Sequence, residues 1–260
     1  MRKSLPLICF VIIIIVVFLN LKNPYTIEKS SRLQSISWQH WFGTDYLGRD
    51  LFSRVVYGCF YSLSIAFLVL ISLILVSLIL GGSAGLIGGL VDTSITTVAD
   101  MMISIPSMIL ALVFSGLFSN SVFTVMVALI ISGSGKYIRY IRNLVLTIKT
   151  EEFILLAPLR GSFTFHTLIF HMLPNLFAEL VSLFMTDLGK ILISISGLSF
   201  LGIGIQPPIP ELGTILFDGK AYFFVAPWIF IFPGLLLSSI VLTTQMISKK
   251  INQKWGVRFD

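Results

Sequence analysis

The chain has 260 residues, 56% of them hydrophobic and only 12% charged, with a formal net charge of +6. Soluble domains carry about 25% charged residues, so half that share excludes a water-soluble globule and indicates an integral membrane protein. Its apolar stretches are continuous runs of Leu, Ile, Val and Phe. Ten-residue segments of alternating hydrophobicity are missing, which argues against a membrane barrel and predicts an all-α bundle.

The first of six predicted spans is Leu5 to Leu21, preceded by Arg2 and Lys3. No small-residue cleavage pattern follows Leu19 and Asn20, so this span reads as a retained anchor. Next comes "FGTDYLGRDLFSRVVYG", Phe42 to Gly58, whose glycines and alternating charges suit an interfacial amphipathic helix with Asp50 and Arg54 paired at i,i+4. The second span is Ser62 to Leu80. In "GGLVDTSITTVADMMISIPSMILAL", Gly88 to Leu112, Asp92 and Asp100 fall on nearly the same helix face, and Pro106 is placed to kink the third span, Val98 to Phe118. The fourth span, Val122 to Ile141, runs into a basic cluster from Lys136 to Arg142.

A polar stretch, Glu151 to Asn175, interrupts this apolar pattern with two acids, an arginine, two histidines, two prolines and a glycine. The fifth span, Asn175 to about Ile203, carries Glu179, Asp187 and Lys190. Asp187 and Lys190 are three apart and therefore neighbours on a helix, and charges in lipid are costly unless paired or facing water. Two readings stay open here: a polar stripe lining a pathway, or an internal pair that holds helices together, with Glu179 close to the inner interface. "LSFLGIGIQPPIPELG", Leu198 to Gly213, ends that span with glycines and three prolines that stop the helix in a rigid outer turn. The sixth span is Ala226 to Ile247, and a short basic tail covers 249–260.

With the N-terminus inside, eleven Lys and Arg residues fall on the inner side and six on the outer, which places both termini in the cytoplasm. The net charge is then a matter of topology, and no basic patch interleaved with aromatics argues for nucleic acid. Cys9 and Cys59 fall near opposite ends of the membrane, which makes a disulfide between them improbable. No phosphate-cradling G-x-x-x-x-G-K-[ST] loop, no G-x-S-x-G elbow and no H-E-x-x-H occurs, so catalysis and a metal site on this chain have no support. A self-sufficient secondary transporter would show inverted repeats and broken binding helices; no convincing repeat relates the two halves.

Taken in this order, the segments resemble the second membrane subunit of bacterial ATP-binding-cassette importers of the dipeptide, oligopeptide and nickel group. Gly43, Thr44, Asp45, Gly48, Arg49, Asp50, Ser53, Arg54 and Gly58 fit that family's GTDxxGRDxxSRxxxG throughout. Asp92, Asp100 and Pro106 to Ala111 fit its GGxxD and DxxxxxPxxxLA pieces, Leu198 to Gly213 its LSFLGxGxQPPxPxxG, and Ala226 to Gly234 its APWxxxFPG.

The resemblance implies a multi-pass protein of the bacterial cytoplasmic membrane with about six helices in the type I importer permease fold. It divides the chain into an N-terminal span and extracytoplasmic segment (1–61), a permease core (62–248) and the tail. The expected partners are a second permease, two cytoplasmic ATPase subunits that hold ATP and Mg, an extracytoplasmic binding protein and the lipid bilayer; no cofactor is expected on this chain. It also implies that the loop 150–174 is the coupling loop, two short helices that dock into the ATPase, with Glu152, Ala157, Gly161 and Pro174 in register. Leu155 stands where the family has a glutamate, and Pro158 lies inside the first docking helix. Asp100, Glu179, Asp187 and Lys190 are the candidate pathway residues, and the cargo is expected to be a peptide, nickel or a metal chelate.

Overall fold

The computed structural model describes residues 20–118, 121–151, 170 and 172–255, the side chains as far as 253. Most of the first predicted span and the coupling-loop residues Glu152, Leu155, Ala157 and Gly161 lie outside the described residues. Among the described residues seven α-helices follow one another: α1 (Leu51–Ile87), α2 (Gly89–Ile103), α3 (Ser107–Leu117), α4 (Val122–Lys149), α5 (Leu173–Phe200), α6 (Leu212–Lys220) and α7 (Trp228–Trp255). Among the described residues there is no strand beyond a single bridge between Thr44 and Asp50. By length and composition α1, α4 and α7 can cross a membrane, and α2 with α3 count as a fourth span if the bent pair is taken as one. The chain forms two compact units: the residues up to Tyr61 with Pro207–Leu237, and Ser62–Gln206 with the residues from Ser238 onward.

The first unit is organised by buried charge. Phe42 to Leu51 is not an amphipathic helix lying at an interface; α1 begins only at Leu51, and Thr44, Asp45, Arg49, Asp50, Ser53 and Arg54 are all buried. Asp45 is the centre: its Oδ1 accepts the Leu47 and Arg49 backbone N–H groups at 2.9 Å, and its Oδ2 meets Arg49 Nε at 2.5 Å and Arg54 Nε at 3.5 Å. The expected Asp50–Arg54 pair does not form. Asp50 instead caps α1, its Oδ2 accepting from Ser53 N–H (2.9 Å) and Ser53 Oγ (2.7 Å), while its Oδ1 lies 2.8 Å from His40 Nδ1. A cap that satisfies orphan helix N–H groups uses the carboxylate better than a pair one turn along would. Gly43 and Gly48 have positive φ, and a Cβ at either would run into the Gln34 or Glu28 carbonyl oxygen. Trp228 of α7 donates from Nε1 to the Thr44 carbonyl at 3.2 Å, and Phe232 stacks on Phe42 with ring centres 4.0 Å apart.

Asp218 of α6 extends this network: it accepts from Tyr46 Oη at 3.3 Å and lies 3.7 Å from Arg49 Nη2. Burial pushes its carboxyl above the ordinary carboxylate range, opposed by the Arg54 and Arg49 guanidiniums. A raised carboxyl binds more protons folded than unfolded, so its contribution to stability is complete below a pH of about 4 and is lost as pH rises through the raised value. Asp218→Asn is therefore expected to flatten the decline in thermal stability as pH rises above about 4. A variant declining more steeply than the parent in a melting series would contradict this.

In the second unit close helix approach sets the geometry. A Cβ at Gly81 would sit 2.5 Å from the Ile138 carbonyl oxygen, and one at Gly85 2.8 Å from Val145 Cγ1, so α1 lies directly against α4. A core of Ile141, Val145, Met172, Leu176 and Leu180 joins α4 to α5, with Ile74, Leu78 and Leu86 of α1 packed against it. Between α5 and α7, Ser182 meets Asn252, Thr186 Oγ1 lies 2.6 Å from Ser248 Oγ, and Gly189 leaves room for Thr244. Small and hydroxylated residues at such contacts let backbones approach where water-driven burial is weak.

Three span expectations are revised. Val98 to Phe118 is not one kinked helix: α2 ends at Ile103, α3 starts at Ser107, and their axes differ by 86°. Pro106 removes a backbone donor and disfavours helical geometry at Ile105, so the chain breaks there. The fourth helix continues past Ile141 to Lys149, which puts Lys136, Arg139 and Arg142 well inside the helix rather than beside its end. Lastly, α5 stops at Phe200, before the prolines. Gly202 takes φ 81°, with Gly202 N–H donating to Ser199 O (2.9 Å) and Ile203 N–H to Leu198 O (3.2 Å), a Schellman closure that terminates the helix ahead of Pro207.

Candidate functional site

Asp92 and Asp100 do share a face of α2, and that face meets α4. Arg142 clasps Asp92 through Nε (2.9 Å) and Nη2 (2.5 Å), and Arg139 pairs with Asp100. The long guanidinium side chains span the difference between the eight-residue spacing of the aspartates on α2, about 12 Å, and the three-residue spacing of the arginines on α4, about 4.5 Å. The same stripe continues with Gly135, where a Cβ would lie 2.6 Å from the Ala99 carbonyl oxygen. These contacts hold the end of α2, and with it the break at Ser104–Pro106, against the middle of α4.

Opposite that break stands Asp187 of α5. Its side chain is 3% exposed, and its two oxygens are both engaged: Oδ1 accepts from Lys190 Nζ at 2.6 Å, while Oδ2 accepts from Tyr137 Oη at 2.6 Å and lies 3.6 Å from Lys136 Nζ. Lys136 is fourteen residues from the start of α4 and thirteen from its end; Asp187 stands in the same relation to the ends of α5. At 1.5 Å per residue that is about 20 Å from either end, so the cluster sits at mid-helix. It borders an open cavity of about 270 Å³ whose lining includes Ile105, Pro106 and Ser107 of the break, Ser132, Gly133, Lys136 and Tyr137 of α4, and Asp187, Lys190 and Ser194 of α5.

Of the sequence-predicted pathway residues, Asp187 and Lys190 meet at this cavity. Asp100 is taken up by Arg139 and Glu179 lies two turns earlier on α5; neither lines it. Glu179 is half-buried, and its Oε2 has no hydrogen-bond partner among the described residues. Pro174 occupies the second position of α5, where a missing N–H costs the helix nothing. Lys136 and Tyr137 were not singled out by sequence. Lys136 looked like an end-of-span basic residue, and the available signal was the three-residue spacing from Lys136 through Arg139 to Arg142, which sets the three cations along one side of a helix.

A buried carboxylate held by two ammonium groups and a phenol, beside a broken helix, is a polar site among predominantly apolar helices. Residues 77–256 match the family of binding-protein-dependent transport system inner membrane components. The chain is 34% identical over 225 residues to the nickel transport system permease protein NikC of Escherichia coli (strain K12), covering 86% of this chain and 81% of that protein. It is 34% identical over 218 residues to the dipeptide transport system permease protein DppC of Alkalihalophilus pseudofirmus, covering 84% and 72%. With the probable D,D-dipeptide transport system permease protein DdpC of Escherichia coli (strain K12) it shares 32% over 221 residues, covering 85% and 73%. Among solved structures, an inward-facing MetNI methionine ABC transporter matches with a TM-score of 0.61 at 18% identity, over 77% of this chain and 95% of that one, a likeness of fold. The chain is thus an all-α integral membrane protein of the type I permease fold, and it belongs to the binding-protein-dependent transport system inner membrane components, in the group of dipeptide, oligopeptide and nickel permeases.

Proposed function

We propose that this protein is the second permease subunit of an ATP-driven importer in a bacterial cytoplasmic membrane, and that the cavity at Asp187 lies on its translocation pathway. It works with a homologous permease, an extracytoplasmic binding protein and two cytoplasmic ATPases, which supply the ATP and Mg chemistry. About six helices cross the membrane and both termini are cytoplasmic. The loop containing Glu152, Leu155, Ala157 and Gly161, closed by Pro174, carries the motion of the ATPases into α4 and α5, which flank it. ATP can shift the permease between states only through contacts that differ between them, and the family resemblance of this loop supports its making them.

The observation that carries the pathway reading is the charge cluster at mid-helix. Ionisable groups there are costly, and they persist where they face a water-filled route or a cargo. Here two lysine side chains remain 64% and 56% exposed while the carboxylate between them is buried. In the complete transporter, co-expressed with its neighbouring binding-protein and ATPase genes, Asp187→Asn is expected to lower uptake roughly 10- to 100-fold, about 1.4–2.7 kcal/mol in the transport barrier. Assembly of the subunits should remain normal. Unchanged uptake by a correctly assembled variant would remove Asp187 from the pathway.

A further inference from the structure

Two turns of the first unit hold aromatic side chains clear of the protein. The turn after α6 is closed by the Val225 and Ala226 N–H groups, which donate to the Tyr222 carbonyl at 3.0 and 2.7 Å. Its first two rings are tied down, Tyr222 stacked on Tyr46 and Phe223 set edge-on to Phe230. Phe224 projects from it, 98% exposed, with an exposed Val225 beside it. The other turn, Ser37–His40, is closed by reciprocal backbone bonds of 2.9 and 3.2 Å and presents Trp38 at 95% exposure. A lysine accompanies each tip: Lys220 ends α6, and Lys22 Nζ donates to the Gln39 carbonyl at 2.7 Å.

Both turns are fixed to the start of α7, a helix able to cross a membrane. Phe230 holds the first turn through Phe223, and Phe42, four residues beyond Trp38, stacks on Phe232. No charged residue occurs between Lys220 and Lys249. About 20 helical residues cover the hydrocarbon, so a span counted back from Lys249 reaches its far boundary in the first turn of α7. Ile231 and Leu235, both exposed, continue from that boundary along one face of the helix. Apolar side chains exposed singly are ordinary, but these tips adjoin a surface that lipid covers. A rigid aromatic tip with a lysine beside it suits the headgroup layer, the ring meeting the upper acyl chains and the ammonium group the phosphates.

We propose that Trp38 and Phe224 insert into the phospholipid boundary layer at the Trp228 end of α7, with Lys22 and Lys220 on its phosphates, and so fasten the first unit to the membrane surface. This depends on α7 crossing the membrane and is independent of the pathway reading. The test uses the complete transporter, freed of cysteine by serine replacements that include Cys9 and Cys59, in vesicles of phosphatidylcholine and phosphatidylglycerol. Trp38→Cys and Phe224→Cys are each labelled with bimane; both side chains are exposed, so assembly should be unchanged. Phosphatidylcholine bearing a nitroxide on its headgroup is expected to quench each label at least about twofold more strongly than aqueous iodide does. K22Q combined with K220Q should narrow that difference in the anionic vesicles, and an unchanged difference would remove the phosphate contacts from the proposal. Labels quenched by iodide and not by the nitroxide lipid would place the tips in water. Labels protected from both would place them against another protein, and either result overturns the proposal.

Discussion

Replacing Asp45 with alanine is expected to destabilise the first unit by about 3–5 kcal/mol, the usual loss when one partner of a buried ion pair is deleted. The side chain meets two guanidiniums, Arg49 and Arg54, the latter 1% exposed, and it also accepts two backbone N–H groups. Removing it leaves two buried cations with Asp218 as their nearby carboxylate, beside the Pro24 carbonyl and the Tyr46 ring. Asp45→Asn should cost less, since an amide oxygen can still accept the backbone donors. The readout is the melting temperature of the purified complex together with its yield in the membrane. An Asp45→Ala variant as stable as the parent would mean that the two arginines find other partners, and would refute the central place given to this carboxylate.

Gly135→Ala is expected to have a comparable effect on transport from a position that touches no cargo. An added Cβ would lie 2.6 Å from the Ala99 carbonyl oxygen and 2.9 Å from Met102 Cβ, both on α2. Backbone cannot swing aside as a flexible side chain can, so the end of α2 must move away from α4, at about 1–3 kcal/mol. That movement shifts the break at Pro106 relative to Lys136 and loosens the Arg139–Asp100 pair. Uptake should fall by at least roughly 10-fold, since reacting or binding groups displaced by an ångström lose much of their effect. Gly116→Ala, where an added Cβ meets nothing within 4 Å, serves as the control and should be near neutral. Equal behaviour of the two variants in uptake and melting would show that the α2–α4 contact does not position the cavity.

Much of the architecture was legible because lipid imposes a length and a polarity on every span. Ser62–Leu80 lies within α1, Val122–Ile141 within α4 and the sixth predicted span mainly on α7, whereas the fifth falls mainly on α5, which does not count among the helices long and apolar enough to cross a membrane. Periodicity also carried pairings that depend on one helix alone: Asp187 with Lys190, and the shared face of Asp92 and Asp100. It failed where a residue had a choice of partner. Asp50 and Arg54 are correctly spaced for a pair, yet Asp50 serves the start of α1 and His40, and Arg54 turns to Asp45, because caps and loop carboxylates satisfied those groups more fully.

The amino-acid sequence by itself determined a helical membrane protein, its apolar segments, and its kinship with the dipeptide, oligopeptide and nickel permeases, since each depends on composition and on motifs read along the chain. Tertiary structure alone decided that Pro106 divides a span by 86°, that Lys136 and Tyr137 belong with Asp187, and that GTDxxGRD is a buried charge network. The physical reason is that a charge in a low-dielectric interior is defined by what surrounds it. Those neighbours come from helices 39 to 50 residues apart in sequence, for Arg139 with Asp100 and for Tyr137 with Asp187, and no local pattern records that distance.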